Sequence, residues 1–194
     1  MQIKTRQTRA VRREQVVGTV LRIIADQGVS SLTTTLLAKE IGVTSGALFR
    51  HFATREEILG ETVRHVAETI DGTFPDDSLP AAKRLGQLVK NRIGALTREP
   101  GLGWFLHSDQ APLTLPDDAV ALLQSCARRS RTFVLDARRE GAADGSIRND
   151  VDPEHLSVMV LGTVHALIGR ARTPATPRDV DGVVAALMRV LAPC

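Results

Sequence analysis

The residues best suited to chemistry in this 194-residue chain cluster between Thr33 and Arg55. The stretch TTTLLAKEIGVTSGALFRHF, residues 33–52, joins two short apolar clusters through Ile41-Gly42-Val43-Thr44. Thr33 or Thr34 can cap a helix through about Ile41, and Thr44 another through about His51, because a threonine hydroxyl accepts the orphan N–H groups of a first helical turn. Gly42 stands just past the first helix, where a left-handed residue lets the chain turn sharply. Ala38 sits where the two helices cross closely, and Leu48 returns to the apolar pocket of Leu37 and Ile41. Small residue, glycine and apolar residue at this spacing are helix-turn-helix chemistry. The outer face of the second helix is then short or basic: Ser45, Gly46, Ala47, Arg50 and His51. Small side chains let a helix approach base edges in the major groove, while Arg and His reach guanine or phosphate. On its residues alone, the motif leaves an ordinary αα-corner as the alternative.

Charge points the same way. Residues 1–55 hold nine Lys/Arg against three Asp/Glu, a balance of +6, and residues 56–194 hold sixteen against nineteen, a balance of −3. Lys4, Arg6, Arg9, Arg12 and Arg13 all precede the first acid, Glu14. A basic front on a mildly acidic body is the footprint of a polyanion partner, with a solvated tail as the bland alternative.

Other chemistries find little support. The histidines, at 51, 65, 107, 155 and 165, form no HExxH and no i,i+4 pair, so no metal site is predicted. His107-Ser108-Asp109 collects triad letters, but adjacent residues do not converge as a triad does. No Walker or GxGxxG loop occurs, and no cofactor is predicted. With no tyrosine and one tryptophan, a stacking platform for single strands is absent. Cys126 and Cys194 form no CxxC pair, which fits a reducing cytoplasm. The front is polar and basic and no 18-residue apolar run occurs, so neither a signal peptide nor a membrane span is expected.

The elements that must position these residues are helical throughout. Val16, Val17, Val20, Leu21, Ile23 and Ile24 make one stripe of a helix from Arg9 to Gln27, closed by Gly28. Thr54 opens a further helix as a capping box with Glu57, with Ile58, Leu59, Val63, Val66 and Ile70 on its apolar face. Residues 72–80, GTFPDDSLP, read as a linker or bend. Helices follow over about 80–98 and 117–140, the latter ended by Gly141, and a final pair over 153–171 and 177–192 begins at Pro153 and Pro177. No strand alternation or internal repeat appears, and the class is all-α.

The longer stretch LTTTLLAKEIGVTSGALFRHFATREEIL resembles the TetR-family repressors, over roughly residues 10–70 and with several typed positions in register. The resemblance implies an N-terminal three-helix helix-turn-helix domain, residues 1–70, joined to a C-terminal helical ligand-binding and dimerisation domain, residues 71–194. It implies backbone-phosphate contacts at Thr33 and Thr34, and a recognition surface of Thr44, Ser45, Gly46, Ala47, Phe49, Arg50 and His51. Arg55 takes the place of the lysine that clamps a phosphate at the start of the fourth helix. Phe49 stands where the family usually has tyrosine, so a phenolic hydroxyl is missing.

Helix 153–171 is apolar around most of its circumference, and helix 177–192 nearly repeats this, so both must be covered on two sides. A four-helix homodimer interface through Val160, Val164, Leu167, Val184, Leu187, Met188 and Leu191 follows from the resemblance; burial in one chain's own core is the alternative. Trp104, Phe105, His107, Cys126, Phe133, Met159 and His165 are the candidates for a mainly apolar effector pocket. The reading is a cytoplasmic, ligand-responsive repressor. It binds a double-stranded palindromic operator as a homodimer and is released by a small, largely apolar molecule. An activator or effector-free architectural DNA binder, and a helical ligand-binding or interaction protein without DNA binding, stay open as alternatives.

Overall fold

A computed structural model describes residues 9–168 and 176–193, with side chains from Arg13 onward and without that of Ile168. Lys4 and Arg6, the side chains of Arg9 and Arg12, and the expected extension of the ninth helix to residue 171 lie outside the described residues. The described residues form ten α-helices and no strand. They are α1 (Arg9–Gln27), α2 (Thr34–Ile41), α3 (Ser45–Phe49), α4 (Arg55–Asp71) and α5 (Ala81–Arg98), then α6 (Leu102–His107), α7 (Ala111–Thr114), α8 (Asp117–Ala143), α9 (Pro153–Ile168) and α10 (Pro177–Leu191). None is long and apolar enough to cross a membrane.

The chain divides into two compact units, residues 1–66 with 99–122, and residues 67–98 with 123–194. In the first, the α1 stripe, Leu37, Leu48, Phe52, Ile58, Leu59 and Val63 are all buried. α6 lies on α1 so closely that a Cβ on Gly101 would stand 2.2 Å from the backbone oxygen of Leu21. Phe105 is buried in this unit and meets the Trp104 ring edge-on, with centroids 5.0 Å apart.

In the second unit α5 packs against α9 and α10. Residues 72–80 are more than a linker: Thr73 is buried, and Phe74 stacks at a tilt on Phe133 with 5.1 Å between centroids. α8 passes through Gly141, the expected stop, because that glycine lies where a Cβ would meet the Ile147 side chain at 2.4 Å. The left-handed residue is instead Gly145, with φ +76°. α10 opens with Thr176 and Asp179 as a reciprocal capping box and Pro177 in its first turn.

Candidate nucleic-acid interface

Each turn of the helix-turn-helix is held by a hydroxyl. Thr33 Oγ1 accepts the Leu36 N–H at 3.1 Å, and Thr44 Oγ1 accepts the Ala47 N–H at 3.2 Å. Between them Gly42 is left-handed (φ +76°), and the Val43 N–H returns to the Ala38 oxygen at 2.9 Å. This is the helix stop that a Cβ-bearing residue resists. Thr54 Oγ1 accepts the Glu57 N–H at 3.1 Å, while the Glu57 carboxylate closes the loop on the Ala53 N–H at 2.7 Å. The box therefore closes one residue earlier than the spacing suggested.

α3 is shorter than the expected span to His51. Its last turn tightens, with the His51 N–H on the Leu48 oxygen at 2.9 Å, so Arg50 and His51 stand in a turn just past it. Leu48 is buried, whereas Thr44, Gly46, Phe49 and Arg50 are exposed and Ser45, Ala47 and His51 half-buried. Thr33 is exposed at the start of α2, and Thr34 and Arg55 are half-buried at the first turns of α2 and α4. One face thus offers hydroxyls, small residues and arginines together, while the opposite face of the same helices is core.

The basic front is thinner than its letters. Arg13 does not face outward: its Nη2 donates to Glu57 at 2.9 Å, its Nε lies 3.7 Å from Glu61, and its guanidinium lies 4.8 Å over the Phe52 ring. Arg22 likewise pairs with Glu40 at 2.9 Å. Arg13 therefore serves as an internal brace between α1 and α4, holding the same Glu57 that caps α4. Charge counting cannot distinguish a brace from a contact, because the pairing is tertiary.

Residues 19–62 match the bacterial regulatory proteins of the tetR family. The front of the chain thus carries the N-terminal domain of the TetR family. It is 24% identical over 146 residues to the HTH-type transcriptional repressor KstR2 of Mycolicibacterium smegmatis, covering 74% of this chain and 71% of that one. Among solved structures, KstR2 of Mycobacterium tuberculosis superposes with a TM-score of 0.82 at 18% identity, over 98% of this chain and 97% of that one. AibR in complex with isovaleryl coenzyme A and operator DNA superposes at 0.78 and 21% identity, over 91% of this chain and 98% of that one. The matched residues 19–62 all lie in the first unit.

The second unit holds an open cavity of about 760 Å³ between α5, α8 and the segment before α5. Its wall is amphiphilic where a mainly apolar one was expected: Phe74, Pro75 and Phe133 stand beside Arg84, Arg128 and Arg129. Of the seven pocket candidates, Phe133 lines this cavity. Trp104, Phe105 and His107 belong to the first unit, and Cys126, Met159 and His165 to the second. Cys126 is buried, and burial raises its thiol pKa, opposed by Arg129. Desolvation, and secondarily the Arg92 cation, lowers the His165 imidazole. The wall arginines escaped sequence reading because an arginine on an amphipathic helix looks like part of a solvated face.

The interface candidates point largely inward in the single chain. Val160, Val164, Leu167, Val184, Leu187 and Leu191 are buried inside the single chain, and Met188 is half-buried. They form its own core against α5, since a helix apolar all round shows one face inward whatever covers the other. The apolar residues left open are Val158 and Met159 on α9, 70% and 41% exposed, and Val190 on α10. Small residues, Gly162 and Ala166 on α9 and Gly182, Ala185 and Ala186 on α10, share those open faces.

Proposed function

We propose that this TetR-family protein is a ligand-responsive repressor that binds a palindromic operator as a homodimer and releases it when a small molecule occupies the second unit. The observation that carries the reading is the left-handed turn at Gly42, which sets Ser45, Gly46, Ala47 and Arg50 on a surface outside the core. Such a surface fits a major groove, where small residues permit approach and arginine reads guanine. The solved complex of AibR with isovaleryl coenzyme A and operator DNA supports the coupling of a ligand to DNA binding. Effector and operator then weaken each other equally, by linkage. The test is binding to duplexes covering the DNA upstream of the protein's own gene, titrated with salt. Each neutralised phosphate contributes about −0.9 to the log–log slope. A salt-insensitive affinity, equal for every duplex, overturns the reading.

Two substitutions divide the contact surface. Arg50→Ala is expected to cost roughly 1–3 kcal/mol and to relax specificity at one base pair. Arg55→Ala is expected to weaken all sequences alike and to flatten the salt slope by about one per subunit. Identical effects of the two would remove this division of labour. Phe49→Tyr is expected to tighten operator binding by about 1 kcal/mol, the worth of one neutral hydrogen bond. At 44% exposure the Phe49 side chain is not locked in the core. A loss of affinity in the tyrosine variant would show that the ring edge already sits against the DNA.

A further inference from the structure

The cavity of the second unit has a charge arrangement that an apolar effector would leave unused. Arg84, on its wall, has a side chain only 6% exposed, and its Nε has no acceptor. Its counter-charges lie at the wet end: Glu140, which accepts from Nη2, is 58% exposed, and Asp77 stands 3.8 Å away and is more exposed still. The third wall carboxylate, Asp136, is held by Arg139 at 2.8 Å. Behind Phe74 lies a second buried cation with no carboxylate bonded to it. Arg92 donates from Nε to Thr73 Oγ1 at 2.7 Å and from Nη1 to Ser130 Oγ at 3.3 Å, and its Nη2 has no acceptor. Its guanidinium lies 5.5 Å from the Phe74 centroid, and desolvation pulls its pKa down to about 10, so it stays charged at neutral pH.

Two buried guanidiniums, one paired only with exposed carboxylates and the other with none bonded to it, make the cavity attractive to a negative group. Arg84 cannot leave, whereas the exposed acids can swing into water once an incoming anion takes their place and keeps the buried cation paired. A planar guanidinium also matches a carboxylate in a two-bond fork. Phe74, Pro75 and Phe133 supply an apolar patch beside that fork.

We propose that the effector is an amphiphilic organic anion whose carboxylate displaces Glu140 from Arg84 while its hydrocarbon portion covers Phe74 and Phe133. The inference rests on the ligand-responsive reading but concerns the chemistry of the ligand. Arg84 is the specificity-determining cation, and Glu140 is an internal competitor for the same site.

The experiment compares straight-chain carboxylates from butanoate to dodecanoate with the alcohols of equal length, by calorimetry and thermal shift on the full-length protein without DNA. At least one carboxylate is expected to bind, and its alcohol to bind at least about tenfold more weakly, the loss of one charge-assisted hydrogen-bond pair. Arg84→Met, which keeps the stem and leaves only exposed acids unpaired, is expected to abolish the preference for the acid over the alcohol. Glu140→Gln is expected to tighten the carboxylate several-fold, a sign that a merely structural Arg84–Glu140 pair would not produce. No binding by any carboxylate, equal binding of acid and alcohol, or an unchanged or weaker carboxylate in Glu140→Gln each overturns the proposal. Operator release is measured separately. A carboxylate that binds with these signatures but leaves DNA bound contradicts the repressor switch and not the site. A neutral molecule that releases DNA while no carboxylate binds contradicts the site and not the switch.

Discussion

Val158→Asp combined with Met159→Asp is expected to give a folded monomer whose operator affinity has fallen on the order of 10²–10⁴-fold, the avidity contributed by a linked second half-site. Both side chains are open in the single chain, at 70% and 41%, so the carboxylates meet water there and the fold is not taxed. In a dimer packed through the open faces of α9 and α10 they would be buried without partners, which an apolar contact does not tolerate. Val164→Asp gives the contrast. At 4% exposure Val164 is core already, and its substitution is expected to unfold the chain rather than merely dissociate a dimer. Sedimentation and circular dichroism of the two variants separate these outcomes. A wild-type protein that sediments as a monomer in the micromolar range would refute the interface outright.

The second large effect is expected at Gly101. Its backbone is right-handed (φ −62°, ψ −22°), so alanine has no conformational objection there. The objection is steric: the new Cβ would lie 2.2 Å from the Leu21 oxygen and 2.7 Å from its Cα, both backbone atoms that cannot rotate away. Gly101→Ala is expected to cost about 3 kcal/mol, at the upper end of the range for overpacking. That lowers the melting temperature by about 6–12 °C for a chain of this size. Gly18→Ala is the control. It sits exposed within α1 with nothing within 4 Å of the added methyl, and alanine there is expected to raise stability by up to about 1 kcal/mol. Thermal melts of the pair should move in opposite directions. If both rise, α6 shifts on α1 without cost and the close approach is not a constraint.

What could be read from the sequence follows how local each determinant is. The caps at Thr33, Thr44 and Thr54, the turn at Gly42 and the stripes of α1 and α4 are decided within one or two turns of chain, and all were legible. Arg13 was misjudged because its partners, Glu57 and Glu61, lie more than forty residues away. The inward face of α9 and α10 was chosen by α5, which no periodicity within those helices reveals. The cavity was missed for the same reason. Arg84 and Glu140 meet only after α5 and α8 pack, and Trp104 drew attention by rarity rather than by position. Gly141 shows the limit from the other side: a glycine at a plausible stop was placed for a neighbour's side chain instead.

Residues 99–122 fold with the front of the chain, although α5 intervenes in the sequence. The heritable module is therefore discontinuous. A chimera spliced near residue 70, taking the reading helices of one regulator onto the body of another, would separate α1 from the α6 segment it packs against. Gly101 and Leu21 would then come from different parents, at the contact least able to absorb a mismatch. Splices that carry residues 99–122 along with the front should survive more often than single-cut ones. Over longer times, the same constraint would tie drift in α1 to compensating drift in α6, while the walls of the second unit stay free to vary with whatever molecule is being sensed.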